Sequence, residues 1–422
     1  MNIEKFIANK ITGAVKDKAN ISKPIVKIAI IGIVLGVAVM ILTISIVSGF
    51  KKEIIKKITG LTTHLVITSV NINPGNEQDP IHIPADSLSL LKNYKGITNV
   101  QKTAFKNAIL KTDEENEGVL LKGVTKNYNF DYIKQHITEG SCLQFNDTTS
   151  SKEILISQVL ADRLNIKLKD KLLFYFMVKH EVTDSASNET YIKSEQRSRK
   201  LQVCGIFKTD FADFDNNLTY VDLRQIQKLN YWDDAMAGSF EVNVKDFEKV
   251  DELKLELEEL LGYQYSIRSV KEIYGNIFIW LDKLDINGII VIVLMIIVAV
   301  INMITALLIL ILERANMVGL VKSLGMNNVS VRKIFFYVSL NLIGKGLLWG
   351  NILGIGLCYI QYYFEIMKLD SVTYYIDHVA IDINWLNYLL LNLGTFVVCL
   401  LMLFLPTLIL TKLTPIKTLR FN

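Results

Sequence analysis

The amino-acid sequence predicts an integral membrane α-helical protein with four transmembrane helices and a large extracytoplasmic α/β domain inserted between helices 1 and 2. Half of the 422 residues are hydrophobic and the mean hydropathy is +0.31, more apolar than a soluble domain of this size. Four apolar runs are long enough to cross a bilayer. The polar residues 50–285, between the first two runs, are too many for a loop and predict one or two domains.

Residues 1–27 precede the first apolar run and predict a cytoplasmic amphipathic helix. Ile3, Phe6, Ile7 and Ile11 share one helical face, while lysines occupy the rest of the segment. A helix of this kind can lie on an anionic membrane surface. An ordinary surface helix is the alternative, but the adjacent span favours the membrane interpretation.

Residues 28–49 hold no charged side chain and form the first predicted span. A cleaved signal peptide is the alternative. The run is longer than a signal's hydrophobic region, and no cleavage site with small residues follows it. The other three spans are predicted at residues 287–312, 335–364 and 385–411.

The distribution of Lys and Arg predicts the orientation of these spans. Basic residues concentrate before the first span, in residues 313–334 and in the tail 412–422, whereas residues 365–384 are acidic. Short basic segments stay on the cytoplasmic side of a membrane. Both termini are therefore expected in the cytoplasm, with the large domain and the acidic loop outside. Lysines at 51–57 oppose this, but they precede a long domain, where the rule is weak.

Alternating and β-branched residues predict a mixed α/β domain. Strands are expected near residues 64–69, 108–112, 118–124 and 154–157. A strand–helix–strand unit over residues 240–268 predicts a second, smaller subdomain, followed by a helical stalk that leads into the second span. Apolar segments at 171–179 and 201–208 predict a hairpin with a long solvated tip.

Motifs of catalysis are absent from the sequence. There is no Gly-x-x-x-x-Gly-Lys-[Ser/Thr] phosphate loop, and the five histidines show no metal-ligand spacing. We therefore expect no catalytic residue, no metal and no cofactor in this chain. The net charge of +4 is too small to indicate nucleic acid as a partner. Cys142 and Cys204 could pair in the outer domain, although nothing in their spacing requires it.

A short cationic segment between the second and third spans has its own helical period. Met317, Val318 and Leu320 begin an apolar stripe, and Gly325 ends the helix. The segment is either a plain connecting loop or a coupling helix that receives force from a cytoplasmic partner. The helical pattern favours the second interpretation.

The third span has two unusual features. Lys345 lies about ten residues inside it, and either contacts an anionic ligand or gating partner or extends to the cytoplasmic interface. We favour the interfacial position. Gly346, Gly350 and Gly354 form two overlapping Gly-x-x-x-Gly units, which permit close approach of another helix. Packing within the protomer and contact with another subunit are both compatible with that spacing.

Three stretches in this order resemble one family. Residues 30–39 with 47–51 are similar to its first span. Glu313-Arg314, residues 317–322 and Leu324-Gly325 are similar to its cytoplasmic coupling motif, and residues 413–420 to its tail. The chain resembles the permease subunits of type VII ABC transporters, the superfamily of macrolide pumps and division permeases, and within it the lipoprotein-releasing (Lol-type) permeases. Met317 stands where the coupling motif usually has Glu.

The resemblance implies three groups of functional residues. The first contacts an ATPase, the second lines a cavity for lipid or lipoprotein, and the third lies on a hairpin that docks a chaperone. By this resemblance the ATPase-coupling residues are Glu313, Arg314, Met317, Val318, Gly319, Leu320, Lys322, Leu324 and Gly325; the cavity candidates are Val39, Leu42, Ile46, Ile297, Val300 and Met303; and the hairpin candidates are His180, Tyr191, Arg197 and Arg199.

The resemblance also implies a function and a set of partners. The chain would be a permease subunit that extracts lipoproteins from the inner membrane and passes them to a periplasmic lipoprotein chaperone. Its partners would be a cytoplasmic ABC ATPase dimer, which binds ATP and Mg, a second permease subunit, the lipoprotein and membrane lipids. One alternative is a transmembrane signalling protein that activates a cell-wall hydrolase. Another is an efflux permease for amphiphiles, although efflux members usually carry the ATPase on the same chain.

Overall fold

The computed structural model describes residues 3–12, 22–70, 78–112, 115–183 and 190–403. The chain divides into two compact units. The first contains Met1–Glu53, Trp280–Lys368 and His378–Asn422, and the second contains Ile54–Ile279 and Leu369–Asp377. The predicted tail motif at residues 413–420 lies outside the described residues.

The helices of the described residues fall into a long apolar group and a short group that belongs largely to the α/β unit. In chain order they are α1 (Ile3–Thr12), α2 (Ser22–Leu61), α3 (Ala85–Asn93), α4 (Asp131–Gln135), α5 (Gln158–Arg163), α6 (Ala212–Asp215), α7 (Leu223–Asn230), α8 (Val250–Leu261), α9 (Val270–Ile273), α10 (Gly275–Glu313), α11 (Ala315–Ser323), α12 (Asn328–Phe364), α13 (Ser371–Tyr374) and α14 (Trp385–Met402).

The strands all belong to one sheet. They are β1 (Leu65–Ser69), β2 (Ile97–Lys111), β3 (Asn116–Val124), β4 (Ile137–Gly140), β5 (Glu153–Ser157), β6 (Lys171–Thr183), β7 (Thr190–Phe207), β8 (Leu218–Asp222), β9 (Ser239–Val244) and β10 (Tyr265–Ser269).

Within the described residues, α2, α10, α12 and α14 are long and apolar enough to cross a membrane. Helix α2 does not end near residue 49, where the first apolar run ends, but continues to Leu61. Phe50, Ile54, Ile58 and Leu61 recur at helical spacing and are all buried, so the amphipathic pattern sustains the helix beyond the apolar run. Helix α10 begins at Gly275, directly after the short helix α9.

Three glycines bring α12 into direct contact with α2. A Cβ atom on Gly350 would lie 2.7 Å from Cβ of Val37, and one on Gly354 would lie 3.0 Å from Cα of Ala38. A Cβ on Gly346 would overlap the side chain of Ile33. Packing at this range is available only to helices with small residues at the contact. Of the two uses that the Gly-x-x-x-Gly spacing allows, the structure shows packing within the protomer.

Helix α10 approaches α2 in the same way. A Cβ on Gly32 would lie 2.5 Å from Nδ2 of Asn302, and one on Gly288 would lie 3.3 Å from Val47. Glycines on either helix therefore replace side chains at the points of contact. Helix α2 consequently packs against two neighbours at once, because neither neighbour needs space for a Cβ at these positions.

Helices α12 and α14 are joined by a reciprocal pair of amides that hydropathy does not reveal. Nδ2 of Asn351 donates to Oδ1 of Asn392 at 2.7 Å, and Nδ2 of Asn392 donates to Oδ1 of Asn351 at 2.8 Å. The remaining amide hydrogens bond the carbonyls of Leu347 and Tyr388. Every donor is thus satisfied, which is what an apolar environment demands of buried amides.

The segment after α13 is attached to α2 at Ser48 and Gly49. Oγ of Ser48 and Nζ of Lys52 each donate to Oδ2 of Asp382 at 2.7 Å. A Cβ on Gly49 would lie 2.5 Å from the carbonyl oxygen of Ala380, so only glycine admits this backbone. Ser48 and Gly49, at the end of the first predicted span, therefore hold the loop between α12 and α14.

Helix α1 packs on protein along part of its surface. Ala8 is buried, and Ile7 contacts the same apolar cluster, which includes Val318, Ile334 and Phe335. Phe6 is exposed. The interpretation of residues 1–27 as a helix lying on the membrane surface is therefore modified for α1, since Ile7 and Ala8 contact the protein interior.

The sheet of the second unit has the order β10-β1-β9-β2-β3-β8-β5-β7-β4, with β6 paired to β2 and β7. Two pairs, β3–β8 and β5–β7, are parallel, and the other pairs are antiparallel. Helices α3, α7 and α8 pack against side chains of one face, in two apolar clusters. Those clusters contain the alternate residues Ala104, Ala108 and Leu110 of β2, so Phe105 and Ile109 point to the other face.

The predicted strands are present, with two differences. The strand–helix–strand unit forms as β9, α8 and β10, but β9 also pairs with β2, so it joins a continuous sheet. The hairpin strands β6 and β7 are far longer than predicted and pair as far as Thr183 and Thr190. The segment expected to be a solvated tip consists mostly of paired strand, because alternation continues through its charged residues.

Prediction for the helix contact. Gly350→Ala should lower the thermal stability of the detergent-purified protein, because overpacking costs about 1–3 kcal/mol and exceeds the gain of up to about 1 kcal/mol in helix propensity. Gly356→Ala is the matched control, since a Cβ there meets nothing within 4 Å. Differential scanning fluorimetry of both variants checks the effect. Equal melting temperatures for the two would contradict the packing of α12 on α2.

Prediction for the loop contact. Burial raises the pKa of Asp382, but hydrogen bonds from Lys52 and Ser48 outweigh it and hold the pKa below its ordinary 3.8. Because the folded-state pKa is depressed, this carboxylate stabilises the fold at neutral pH, and the contribution is lost as pH falls through that pKa. Asp382→Asn should destabilise the protein by about 1 kcal/mol at pH 7, and the difference from wild type should shrink as the pH falls below 3.8 toward the folded-state pKa.

Melting curves between pH 3 and pH 8 measure this difference. Asp147→Asn removes an exposed ion pair with Lys126 and serves as the control that should change little. An Asp382→Asn variant with the melting temperature of the wild type at every pH would show that Asp382 does not hold the loop.

Candidate coupling segment, membrane surface and hairpin

The segment between α10 and α12 has a defined helical shape. Helix α10 ends at Glu313 and α11 begins at Ala315. At the other end the amide of Met326 donates to the carbonyl of Val321 at 3.1 Å, and that of Gly325 donates to Lys322 at 3.1 Å. With Gly325 at φ +93°, these two bonds form a Schellman C-cap. The predicted termination of the helix at Gly325 is therefore confirmed.

The predicted coupling residues divide into an outward and an inward group. Glu313, Leu320, Leu324 and Gly325 are exposed, with Leu320 56% and Leu324 80% accessible. Val318 and Gly319 are buried. Two large apolar side chains at this exposure form a surface suited to contact with another protein.

Met317 packs against the apolar cluster formed by α10, α11 and α12. A carboxylate there would be half-buried among apolar side chains, and burying a charge without a partner is costly. Methionine fills such a site well because its side chain is flexible and apolar. The departure from the family motif at this position is therefore explained by packing.

The cationic members of the segment lie at its margins. Arg314 is half-buried, and its Nε has no hydrogen-bond partner among the described residues. Burial lowers the pKa of Lys322. Both side chains keep part of their surface accessible beside the exposed leucines.

The predicted cavity residues are not equally accessible. Ile297 is 48% exposed, and Val39, Leu42 and Ile46 are half-buried. Val300 and Met303 are buried in an apolar cluster with Leu307, Ile343 and Cys399, so their assignment to a cavity surface is corrected. Their periodicity indicated an apolar helix face, and only the neighbouring helices determine which face is covered. The exposed apolar side chains of α10 include Ile289, Ile290, Val293, Leu294, Ile297, Val298 and Ile301.

The hairpin residues lie on strands rather than in a loop. His180 pairs with Lys193, and Tyr191 with Val182, in the register of β6 and β7. The guanidinium of Arg197 lies 4.1 Å from the ring centre of Tyr231 and bonds Glu195. Arg199 donates to the carbonyl of Ser198, and burial lowers its pKa. Arg197 is thus engaged within its own unit.

Lys345 and the two outer-domain cysteines are also located by the structure. Lys345 is exposed on α12, which favours contact with the interface over an internal ion pair. Cys142 and Cys204 are free thiols, and burial raises the pKa of Cys204 to about 12. Among the described residues, no group of three or more His, Cys, Asp or Glu could hold a metal ion.

A buried ion pair lies in the sheet, where sequence reasoning gave no indication of it. Nζ of Lys122 on β3 is 2.8 Å from Oε1 of Glu241 on β9, and both side chains are at most 3% exposed. Nζ of Lys122 also donates to the hydroxyl of Tyr128 at 2.9 Å. The available signal was a charged residue in the middle of each of two apolar strands, but only the strand order brings the two together.

Membrane-type helices, an α/β sheet domain between α2 and α10 in the chain, and an exposed helix between two of the long helices together define an integral membrane protein with an inserted α/β domain. The chain belongs to the family with a MacB-like periplasmic core domain, whose model matches residues 28–260, and an FtsX-like permease C-terminal region matches residues 289–415. These matches confirm the family resemblance inferred from the sequence.

Relatives cover almost the whole chain. The lipoprotein-releasing system transmembrane protein LolE of Haemophilus influenzae is 23% identical over 96% of this chain and 96% of its own length. LolC of Xylella fastidiosa is 21% identical over 93% of each. The solved periplasmic region of MacB from Actinobacillus actinomycetemcomitans aligns with 53% of this chain and 97% of its own, at 16% identity and a TM-score of 0.35.

Proposed function

We propose that this chain is a permease subunit of an ATP-driven transporter that extracts lipoproteins from the bacterial inner membrane and hands them to a periplasmic chaperone. The observation that carries the proposal is the end-to-end similarity to proteins of the lipoprotein-releasing system, over 96% of this chain and of LolE. The exposed helix α11 supports the proposal, because a permease without its own ATP site needs a surface that binds a separate ATPase.

The proposed topology follows the sequence boundaries. Segment 1–27 and both termini are cytoplasmic, and the spans are 28–49, 287–312, 335–364 and 385–411. Segments 50–285 and 365–384 are periplasmic, whereas 313–334 and the tail 412–422 are cytoplasmic. The four long apolar helices and the predominance of basic residues in the cytoplasmic segments support this arrangement.

The partners follow from the surfaces. A cytoplasmic ABC ATPase dimer, which binds ATP and Mg, would contact Glu313, Leu320 and Leu324. A second permease subunit, identical or homologous, would meet this one to form a cavity that receives acyl chains, lined by Ile297, Val39, Leu42 and Ile46. The hairpin of β6 and β7 would dock the chaperone through its distal strands, near His180 and Tyr191.

Prediction for coupling. Leu320→Glu and Leu324→Glu should each lower ATP-dependent lipoprotein release by tenfold or more, because a desolvated charge at an apolar contact weakens binding of the ATPase. Both side chains are exposed, so the fold of the permease should be unaffected. Release from proteoliposomes that contain the co-purified ATPase is the measurement.

Val329→Glu is the matched control, since Val329 is 57% exposed near the start of α12. It should leave release near the wild-type rate. Normal release by both leucine variants, with the ATPase still bound, would contradict the coupling role of α11.

Prediction for the cavity. A photocrosslinking amino acid at Ile297 of α10 should form adducts with an acylated lipoprotein, and one at Leu390 of α14 should form few. The two side chains are 48% and 56% exposed, so access to solvent or lipid is comparable. Mass spectrometry of the adducts identifies the cargo. Adducts with a cell-wall hydrolase in the outer domain, and none with lipoprotein at Ile297, would support the signalling alternative instead.

A further inference from the structure

One face of the sheet in the second unit carries a large open cleft. Its volume is about 1250 Å³, and it is lined by residues of β1, β2, β3, β6, β9 and β10. Helices α3, α7 and α8 pack on the opposite face, so most of the cleft side chains lie outside those apolar clusters. The cleft lies wholly within one unit, and strands of the sheet form most of its lining.

The floor of the cleft contains the buried ion pair. Oε1 of Glu241 is held by Lys122 at 2.8 Å, whereas Oε2 has no hydrogen-bond partner among the described residues. The Glu241 side chain is only 3% exposed. A buried carboxylate oxygen without a donor is unfavourable, and a ligand that brings an N–H or O–H to it removes that cost.

The walls above the ion pair combine apolar side chains with polar and charged ones. Phe105, Leu120 and Tyr175 line the cleft, and Ile109 and Met177 are 52% and 54% exposed in it. Exposed isoleucine and methionine side chains facing a concave surface are typical of a binding site for an apolar partner.

The size and charge of the cleft restrict its occupant. Small-molecule pockets usually have volumes of roughly 300–1,000 Å³, so 1250 Å³ accommodates a stretch of chain rather than a compact ligand. Lys122 already pairs with Glu241, which makes the floor a poor anion site. Walls that mix apolar and polar side chains, with one unsatisfied acceptor at the floor, match a polypeptide, because a polypeptide offers backbone N–H donors between side chains of both kinds.

We propose that this cleft binds an extended polypeptide segment of the transported lipoprotein, with a donor group on Oε2 of Glu241 and apolar side chains between Ile109 and Met177. The inference rests on the proposed function, which supplies the cargo. It adds a protein-binding site in the α/β unit to the cavity proposed for the acyl chains.

The test uses the intact transporter with its ATPase in nanodiscs, loaded with a purified acylated lipoprotein. Photocrosslinking amino acids are placed singly at Ile109 and Met177 in the cleft. Leu255 of α8, which is 66% exposed, is the control position. At least tenfold more lipoprotein adduct at Ile109 and Met177 than at Leu255 is expected. The crosslinked peptides should map to the polypeptide of the cargo.

A paired substitution provides a second readout. The double variant Ile109→Glu, Met177→Glu should lower the amount of lipoprotein that stays bound to the transporter by about tenfold. Its melting temperature should not change, because both side chains are exposed. Unchanged retention in the paired variant would overturn the inference.

The probe at Ile297 separates this inference from the proposed function. Lipoprotein adducts at Ile297 without adducts at Ile109 or Met177 would support the proposed function and would show that the cleft is not a binding site for the lipoprotein. Adducts in the cleft that contain only the chaperone would also reject it. Absence of lipoprotein adducts at all three positions, with no release by the wild type, would overturn the function and the cleft together.

Discussion

Close approach of α10 and α12 to α2 is the constraint on which the membrane unit depends. Gly346, Gly350 and Gly354 on α12, and Gly288 on α10, replace side chains where those helices meet α2. In a bilayer the hydrophobic effect does not drive helices together, so close packing and hydrogen bonds must do so. The amide pair of Asn351 and Asn392 then attaches α14 to α12. A single helix thereby organises the spans of the unit.

The same helix carries polar contacts between Ser45 and Lys52. Ser48 and Lys52 hold Asp382, and Ser45 bonds the hydroxyl of Tyr388 at 2.8 Å, so α2 is joined to α14 and to the loop before it. Lys51 adds an ion pair with Asp285 of α10 at 2.6 Å. These lysines opposed the positive-inside rule in the sequence. Their structural partners explain their presence, because each neutralises a carboxylate of the same unit.

Sequence patterns predicted some features well and others poorly, for identifiable reasons. The cap at Gly325 was predictable because only glycine readily adopts its positive φ. The length of the β6–β7 hairpin was not predictable, because a strand with many charged residues has the sequence pattern of a loop. Val300 and Met303 lay on a recognisable apolar face, but the sequence could not separate a face covered by α12 and α14 from one open to lipid or cargo. Met317 looked like a lost ionic contact and is a packing residue.

The sequence by itself determined the membrane class, the apolar runs, the end of helix α11 at Gly325 and the family, because these depend on local composition and periodicity. Only the tertiary structure decided which glycines pack on which helix, which residues of α11 face outward, and that Lys122 and Glu241 meet in the sheet. Those facts depend on contacts between residues distant in the chain. Local patterns constrain the faces of a helix or strand, whereas the partner of each face is fixed by how the elements assemble.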